Sequence, residues 1–347
     1  MIRVLIVDDS ALVRKVLTEQ LSMHGDIEVV GTASDPYVAR DKIAALRPNV
    51  ITLDIEMPRM NGLTFLEKLM KYYPIPTIVV SSLTPQNSEA TLRALHLGAV
   101  EVINKPGSHY SVPEDCSKLV RAVRAAAQAI PAKPLGIPAI ACGSDQQPAL
   151  LSTTHKVIAI GASTGGTVAL ECVLRELPSS VAGTVIVQHM PEQFTASFAK
   201  RLNSVCSMEV REAKENDGVI PGVALVAPGN CHMVLQLDGA RYIVKMKDGP
   251  PVHYQRPSVD VLFQSVARNA GSNALGILLT GMGADGARGL LAMRQNGAYT
   301  IAQDEKSCVV FGMPKEAINL GAACEITALT QIPKSIVGHL NAQNCSG

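Results

Sequence analysis

Short runs of β-branched and aliphatic residues recur along the chain. Each ends in a polar or glycine-rich break, followed by a stretch with apolar residues every three or four positions. Up to residue 125 the runs fall at 3–7, about 28–32, 50–53, 77–80 and 100–103. Runs that are apolar throughout, rather than alternating, predict strands buried on both faces of a parallel sheet. The intervening segments predict helices, for example Ala11–Met23 and Leu63–Lys71. Ser10 is placed to cap the first, and Asn61-Gly62 marks the turn into the next. Five such units predict an open, doubly wound, five-stranded parallel sheet, closed by an alanine-rich helix over Ser117–Ala129.

The pattern then breaks. Residues 131–152 carry prolines at 131, 134, 138 and 148 and have no periodicity, which predicts a semi-extended linker between two domains, 1–130 and 153–347. From Lys156 the alternation resumes. Strands are expected at Lys156–Ile160, Val185–Val187, Ala274–Leu279 and Tyr299–Ala302, with a helix over Ala287–Asn296. The second domain is thus also α/β and Rossmann-like. Its irregular middle, 208–255, suggests a β-hairpin insertion.

With 347 residues, 47% of them hydrophobic, the chain can bury two cores. Only 3% are aromatic and none is Trp, which disfavours stacking platforms for single-stranded nucleic acid. Residues 1–130 hold 14 basic and 14 acidic residues, leaving 17 and 16 of the chain's 31 and 30 for the rest. Neither half has the basic excess of a DNA-binding module. The eight cysteines form no C-x-x-C pair, the start MIRVLIVDDS reads as a strand rather than a signal peptide, and no apolar run is long enough to span a bilayer. A cytoplasmic protein with reduced thiols is expected.

Chemistry gathers at strand ends. Asp8 and Asp9 end the first apolar run, Asp54 the third and Ser81 the fourth; Lys105 follows the fifth. In a parallel sheet these share one crevice. Three crowded carboxylates favour a hard divalent cation such as Mg²⁺. A carboxylate beside that cation and a lysine can accept a phosphoryl group.

In the second half, Gly161-Ala-Ser163-Thr-Gly165 lies between a strand and a helix. That fits a nucleophile elbow, and also a turn that holds a dinucleotide or phosphate. His189 follows Val185–Val187 and Gln188, either as a base for Ser163 or as a histidine satisfied in the core. His232 and His253 are rivals that end no clear strand. Asp285 lies in Gly281-Met-Gly-Ala-Asp-Gly286, where dense glycines let backbone N–H groups converge, as an oxyanion hole or a phosphate nest needs. The order Ser…His…Asp is not that of the α/β-hydrolases.

The first half resembles the response-regulator receiver domains, on Val-Asp8-Asp9-Ser, Leu-Asp54-Ile-Glu-Met-Pro, Val-Ser81 and Asn-Lys105-Pro. The second resembles the catalytic domain of the chemotaxis methylesterases of the CheB family. The residues that carry this are Ile-Gly-Ala-Ser163-Thr-Gly-Gly, Gln-His189-Met-Pro, Arg256-Pro-Ser-Val-Asp-Val-Leu-Phe263, Leu-Thr-Gly-Met282-Gly-Ala-Asp285-Gly and Ser307-Cys-Val-Val-Phe-Gly-Met-Pro314. Asn104 and Ala284 depart from the family's usual Thr and Asn. The resemblance implies a phosphorylation-controlled enzyme that hydrolyses glutamate methyl esters on methyl-accepting chemotaxis receptors and deamidates glutamines there. It implies Ser163 as nucleophile, His189 as base, Asp285 as its orienting partner and the Met282 N–H in the oxyanion hole. It further implies phosphorylation of Asp54 by the chemotaxis histidine kinase, with Asp8, Asp9 and Asp54 holding Mg²⁺ and Ser81 and Lys105 lining the pocket. No cofactor for hydrolysis, no nucleic acid and no membrane insertion are implied.

Two other outputs fit less well. A DNA-binding output needs a basic helix-turn-helix, against 17 basic and 16 acidic residues in 131–347. A nucleotide-dependent oxidoreductase needs an acidic residue about 20 positions beyond the glycines; Glu171 and Glu176 come too early.

Overall fold

The protein is described by a computed structural model covering residues 1–57, 59–81, 85–105, 113–129 and 156–344. Its contacts divide the chain into two units, Met1–Ala141 and Cys142–Gly347. The expected linker at 131–152 lies outside the described residues, as do Cys142, Cys345, His109 and His155.

In the first unit the strands are β1 (Ile2–Val7), β2 (Ile27–Ala33), β3 (Val50–Asp54), β4 (Thr77–Ser81) and β5 (Glu101–Asn104). The helices are α1 (Ala11–Ser22), α2 (Pro36–Leu46), α3 (Gly62–Tyr72), α4 (Pro85–His96) and α5 (Pro113–Gln128). All strand pairs are parallel, in the order β2-β1-β3-β4-β5. The apolar runs place Val4–Val7, Val50–Leu53 and Ile78–Val80 wholly inside. Ser10 caps α1, accepting from the Val13 N–H, and Asn61 caps α3, accepting from the Leu63 N–H. The order reverses between β1 and β3, so the crevice beyond their C-terminal ends is open to a ligand.

In the second unit the elements are β6 (Val157–Ala162), α6 (Gly166–Arg175), β7 (Gly183–Gln188), α7 (Glu192–Val205), β8 (Glu209–Glu212), β9 (Val223–Val226), β10 (His232–Asp238) and β11 (Arg241–Lys247). They continue with α8 (Val259–Ala270), β12 (Ala274–Leu278), α9 (Ala287–Gln295), β13 (Tyr299–Gln303), α10 (Met313–Asn319), β14 (Glu325–Thr327) and α11 (Ile332–Asn344). Seven parallel strands pair in the order β14-β13-β12-β6-β7-β9-β8. β6 is buried along its whole length. On α8, Val259, Leu262, Phe263, Val266, Ala267 and Ala270 recur at helical spacing and are buried. Each large side chain among them contributes roughly 1.5–3 kcal/mol by leaving water.

The insertion is narrower than the expected 208–255. Only β10 and β11 form a separate antiparallel hairpin, from His232↔Lys247 to Asp238↔Arg241. β8 and β9 instead extend the main sheet in parallel. The physical cause is visible in the residues: Val223-Ala-Leu-Val226 is fully buried, as an inner strand requires, and Glu209-Val-Arg-Glu212 carries the charges of an edge.

Candidate functional site

Three neighbouring strands of the second unit, β12, β6 and β7, each release one candidate residue. Ser163 follows β6 directly, His189 follows β7 directly, and Asp285 lies in the loop after β12. Backbone hydrogen bonds carry the pairing past the strand ends. The Ser163 N–H donates to the Thr280 carbonyl (3.0 Å) and the His189 N–H to the Ala162 carbonyl (3.1 Å). The Gln188 amide nitrogen then donates to both the Ser163 carbonyl (2.9 Å) and the His189 carbonyl (3.0 Å). One buried side chain thereby ties the two residues in register.

The turn around the serine is tight, but its left-handed residue is Gly165, with φ of 78°, not Ser163. A Cβ at Gly165 would meet Val309 at 2.6 Å. Gly281 is required for a different reason: a Cβ there would lie 2.6 Å from that of Ser163 and 2.3 Å from the Met313 sulfur. The loop thus passes against the serine. The Gly281 carbonyl accepts from the N–H groups of Gly312 (3.1 Å) and Met313 (2.8 Å), and the Gly281 N–H donates to Val310 (3.1 Å). The next residue, Met282, has an N–H with no backbone acceptor among the described residues. An N–H without a backbone acceptor, one residue from the glycine that packs on Ser163, is the kind of donor a developing oxyanion uses.

His189 Nε2 lies 2.8 Å from Asp285 Oδ2, with both side chains nearly buried. His189 Nδ1 is buried without a hydrogen-bond partner. It is the ring nitrogen left to serve a hydroxyl, and Ser163 is not hydrogen-bonded to it in this conformation. Such bonds commonly tighten only with substrate bound.

Asp285 is held from several sides. Oδ1 accepts from the Ser258 hydroxyl (2.8 Å) and the Asp260 N–H (2.9 Å); Oδ2 also accepts from the Val259 N–H (2.8 Å). These backbone donors open α8, whose positive end favours an anion. Burial pushes the Asp285 carboxyl up, but His189 and the two backbone N–H groups outweigh it and hold it below the usual carboxylate range.

The rival histidines are hydrogen-bonded to neither Asp285 nor Ser163. His232 accepts from the Ser258 N–H at Nδ1 (3.2 Å) and donates from Nε2 to the Pro250 carbonyl (3.1 Å). His253 Nε2 lies 3.1 Å from Asp260 Oδ2. Ser258, Asp260 and Gln188 are the site residues that sequence reasoning did not assign. A Ser-x-Asp ahead of an apolar helix could have flagged Ser258 as a cap, but not the acid it would serve.

In the first unit, Lys105 Nζ lies 2.6 Å from Asp54 Oδ2 and 3.1 Å from Asp8 Oδ2. Ser81 closes β4 beside Asn104, in register with it. Burial pushes the Asp54 carboxyl up to about 6; Lys105 opposes this and Asp8 adds to it. Asp8 is also raised, chiefly by burial. Asp8, Asp9 and Asp54 each offer an oxygen within 4.8 Å of the others. The Asp8 Oδ2, although ion-paired with Lys105, is buried outside hydrogen-bonding geometry. Hard oxygens with an unfilled lone pair, crowded enough to repel, fit Mg²⁺.

The chain thus joins an α/β unit carrying a buried, lysine-paired carboxylate to a second α/β unit with serine, histidine and aspartate at neighbouring strand ends. Residues 4–115 match the response regulator receiver domain model and residues 158–336 the CheB methylesterase model. The chain is 58% identical to protein-glutamate methylesterase/protein-glutamine glutaminase 2 of Syntrophus aciditrophicus, over 97% of this chain and 98% of that protein. It is 52% identical to the protein-glutamate methylesterase/protein-glutamine glutaminase of Escherichia coli K12, over 98% and 97%. The crystal structure of the Thermotoga maritima CheB methylesterase catalytic domain aligns with a TM-score of 0.52 at 35% identity, covering 53% of this chain and 98% of that one. The chain belongs to the CheB methylesterase family and carries its receiver domain.

Proposed function

We propose that this protein is a phosphorylation-controlled protein-glutamate methylesterase and protein-glutamine glutaminase. It removes methyl esters from glutamate side chains of methyl-accepting chemotaxis receptors and deamidates receptor glutamines. The observation that carries the reading is the His189–Asp285 pair, with Nδ1 of the same ring buried, unpartnered and delivered by the strand next to that of Ser163.

The residues divide the work as follows. Ser163 Oγ attacks the ester carbonyl and its proton passes to His189 Nδ1. Asp285 holds the ring by Nε2 and stabilises the imidazolium. The carbonyl oxygen, now anionic, is received by the Met282 N–H. Collapse expels methoxide, which takes the proton from His189 and leaves as methanol; ammonia leaves instead when glutamine is the substrate. Water, deprotonated by His189, then opens the acyl-serine to glutamate and restores Ser163.

In the receiver, Asp54 is the phosphoacceptor and the chemotaxis histidine kinase the donor. Asp8, Asp9 and Asp54 would hold Mg²⁺, which supplies charge neutralisation for phosphoryl transfer when bound. Lys105 contributes a second cation at Asp54, and Ser81 lines the same pocket. Among the described residues no helix is long and apolar enough to cross a membrane; in this reading the enzyme meets its receptors from the cytoplasm. The test is methanol release from membranes bearing methylated receptor, with and without a small phosphodonor. Wild type should release methanol, faster with the donor, and Ser163→Ala should release none. Equal release by both proteins would dismiss the reading.

A further inference from the structure

Asp260 and Asp285 are two buried carboxylates set side by side, and each caps the other's helix. Asp285, just ahead of α9, accepts from the Val259 and Asp260 N–H groups that open α8. Asp260, in the first turn of α8, accepts from the Gly289 N–H in the first turn of α9 (2.6 Å). Each helix end supplies only about half a positive charge, so the pair is left with net negative charge beside His189. Oxygens of both carboxylates and a nitrogen of His253 lie within 4.8 Å of one another. All four carboxylate oxygens already accept hydrogen bonds from backbone N–H groups or side chains. The cluster is therefore a charge network rather than a vacant metal site.

His253 reaches this network from a costly turn. Val252 and Gln255 exchange both backbone hydrogen bonds (3.0 and 2.9 Å), and the two residues between them, His253 and Tyr254, have φ of 52° and 62°. Such turns favour Asn-Gly; each side chain larger than glycine costs roughly 1–2 kcal/mol in this region. Strain of this kind persists where the surroundings over-determine it. Here it aims an imidazole at Asp260.

We propose that His253 is a positioning residue which, through Asp260, balances the charge beside Asp285 and so sets the pH range in which His189 can accept the serine proton. The inference rests on the Ser163–His189–Asp285 reading above. The charged groups that face Asp260 are Asp285, from the loop before α9, and His253, from the turn before α8. Burial is the largest influence on Asp260 and, with Asp285, raises its carboxyl against the pull of the Gly289 N–H and His253. His189 is the hydrogen-bond partner of Asp285 on the side of the serine. Arg256 on the same segment is turned away, to the Gly249 carbonyl and the Asn230 side chain. His232 uses one ring nitrogen as donor and the other as acceptor, both on backbone groups.

The charge logic demands opposite shifts. Removing the His253 ring takes from Asp260 a hydrogen-bond donor and, wherever the ring is protonated, a cation; more negative charge then stands beside His189, favours its imidazolium, and moves the rising limb of the kcat/KM profile to higher pH. Removing the Asp260 charge moves it to lower pH. At an effective dielectric near 20, and allowing for the partial exposure of His253, each shift is about half a pH unit.

The experiment is the pH profile of methanol release by the full-length protein and its variants. His253→Asn keeps a residue that tolerates the left-handed backbone, and Asp260→Asn keeps an acceptor for the Gly289 N–H. A pH-independent loss of folded protein scales the profile without moving it, and a thermal melt of each variant across the same pH range shows that the folded fraction is constant. Expected are an upward shift for His253→Asn, a downward shift for Asp260→Asn, a near-normal profile for the double variant, and rescue by His253→Lys. Shifts in the same direction, or none, overturn the proposal and leave His253 a turn residue. If wild type itself releases no more methanol than Ser163→Ala, the triad reading has failed and takes this inference with it.

Discussion

His189 presents Nε2 to Asp285 at 2.8 Å while its Nδ1 is buried and without a hydrogen-bond partner. A ring nitrogen kept from both water and protein donors is poised to accept the serine proton. If Ser163, His189 and Asp285 act as one unit, their losses are not additive. Ser163→Ala and His189→Gln should each lower kcat by several orders of magnitude, on the order of 10⁴-fold or more, while keeping the far-UV spectrum of wild type. The double variant should be little worse than either. A double variant slower by the product of the two effects would separate the residues mechanistically.

His232 offers a contrast. It touches the Ser258 N–H and the Pro250 carbonyl, not the serine. His232→Gln should therefore lose about 1–3 kcal/mol of stability, the cost of leaving buried polar groups unpaired, and keep kcat within about tenfold. Denaturant unfolding and steady-state kinetics together check this. A folded His232→Gln protein without activity would make His232 the base.

Asp54 sits 2.6 Å from the Lys105 ammonium, with Asp8 and Asp9 close by. Labelling by a small phosphodonor should require both the Asp54 carboxylate and Mg²⁺. Asp54→Asn and chelation with EDTA should each abolish the acid-stable, hydroxylamine-labile label. Label that survives Asp54→Asn would place the phosphate elsewhere.

The same carboxyl, pushed up by burial to about 6, makes the receiver's stability depend on pH. An acid whose folded pKa exceeds its unfolded value holds its proton more tightly in the native state. Its contribution to stability is fully present below about 4 and is lost as pH rises through about 6. In EDTA at pH 7.5, Asp54→Asn should accordingly stabilise the protein by up to about 3 kcal/mol, two pKa units converted at 1.36 kcal/mol each. Below pH 4 the difference should vanish. Thermal melts across pH 3.5–8 check it; an Asn variant less stable than wild type at neutral pH would show that Lys105 outweighs burial.

Much of the plan was legible in residue order. Fully apolar runs such as Val4–Val7 and Val157–Ile160 cannot face water, so they declared central parallel strands, and the polar residues at their ends declared a crevice. Capping by Ser10 and Asn61 was legible because it acts within one turn of chain. The extent of the hairpin was not. Val223–Val226 is as apolar as any central strand, but nothing within it names β7 as its neighbour, a pairing made only in the folded sheet.

The sequence alone determined which residue types stand at the strand ends, since periodicity and local turn chemistry are properties of neighbouring residues. Ser163, His189 and Asp285 could be named from it, but a phosphate loop and a core histidine remained equal readings of the same letters. Tertiary structure decided what no local rule contains. It placed β12, β6 and β7 side by side, turned the His189 Nε2 rather than Nδ1 to the acid, and bound Asp285 to Ser258 and Asp260 across 27 and 25 positions of chain. The physical reason is that burial makes every polar group seek a partner wherever the fold brings one within about 3 Å, and that distance in space has no counterpart in distance along the chain.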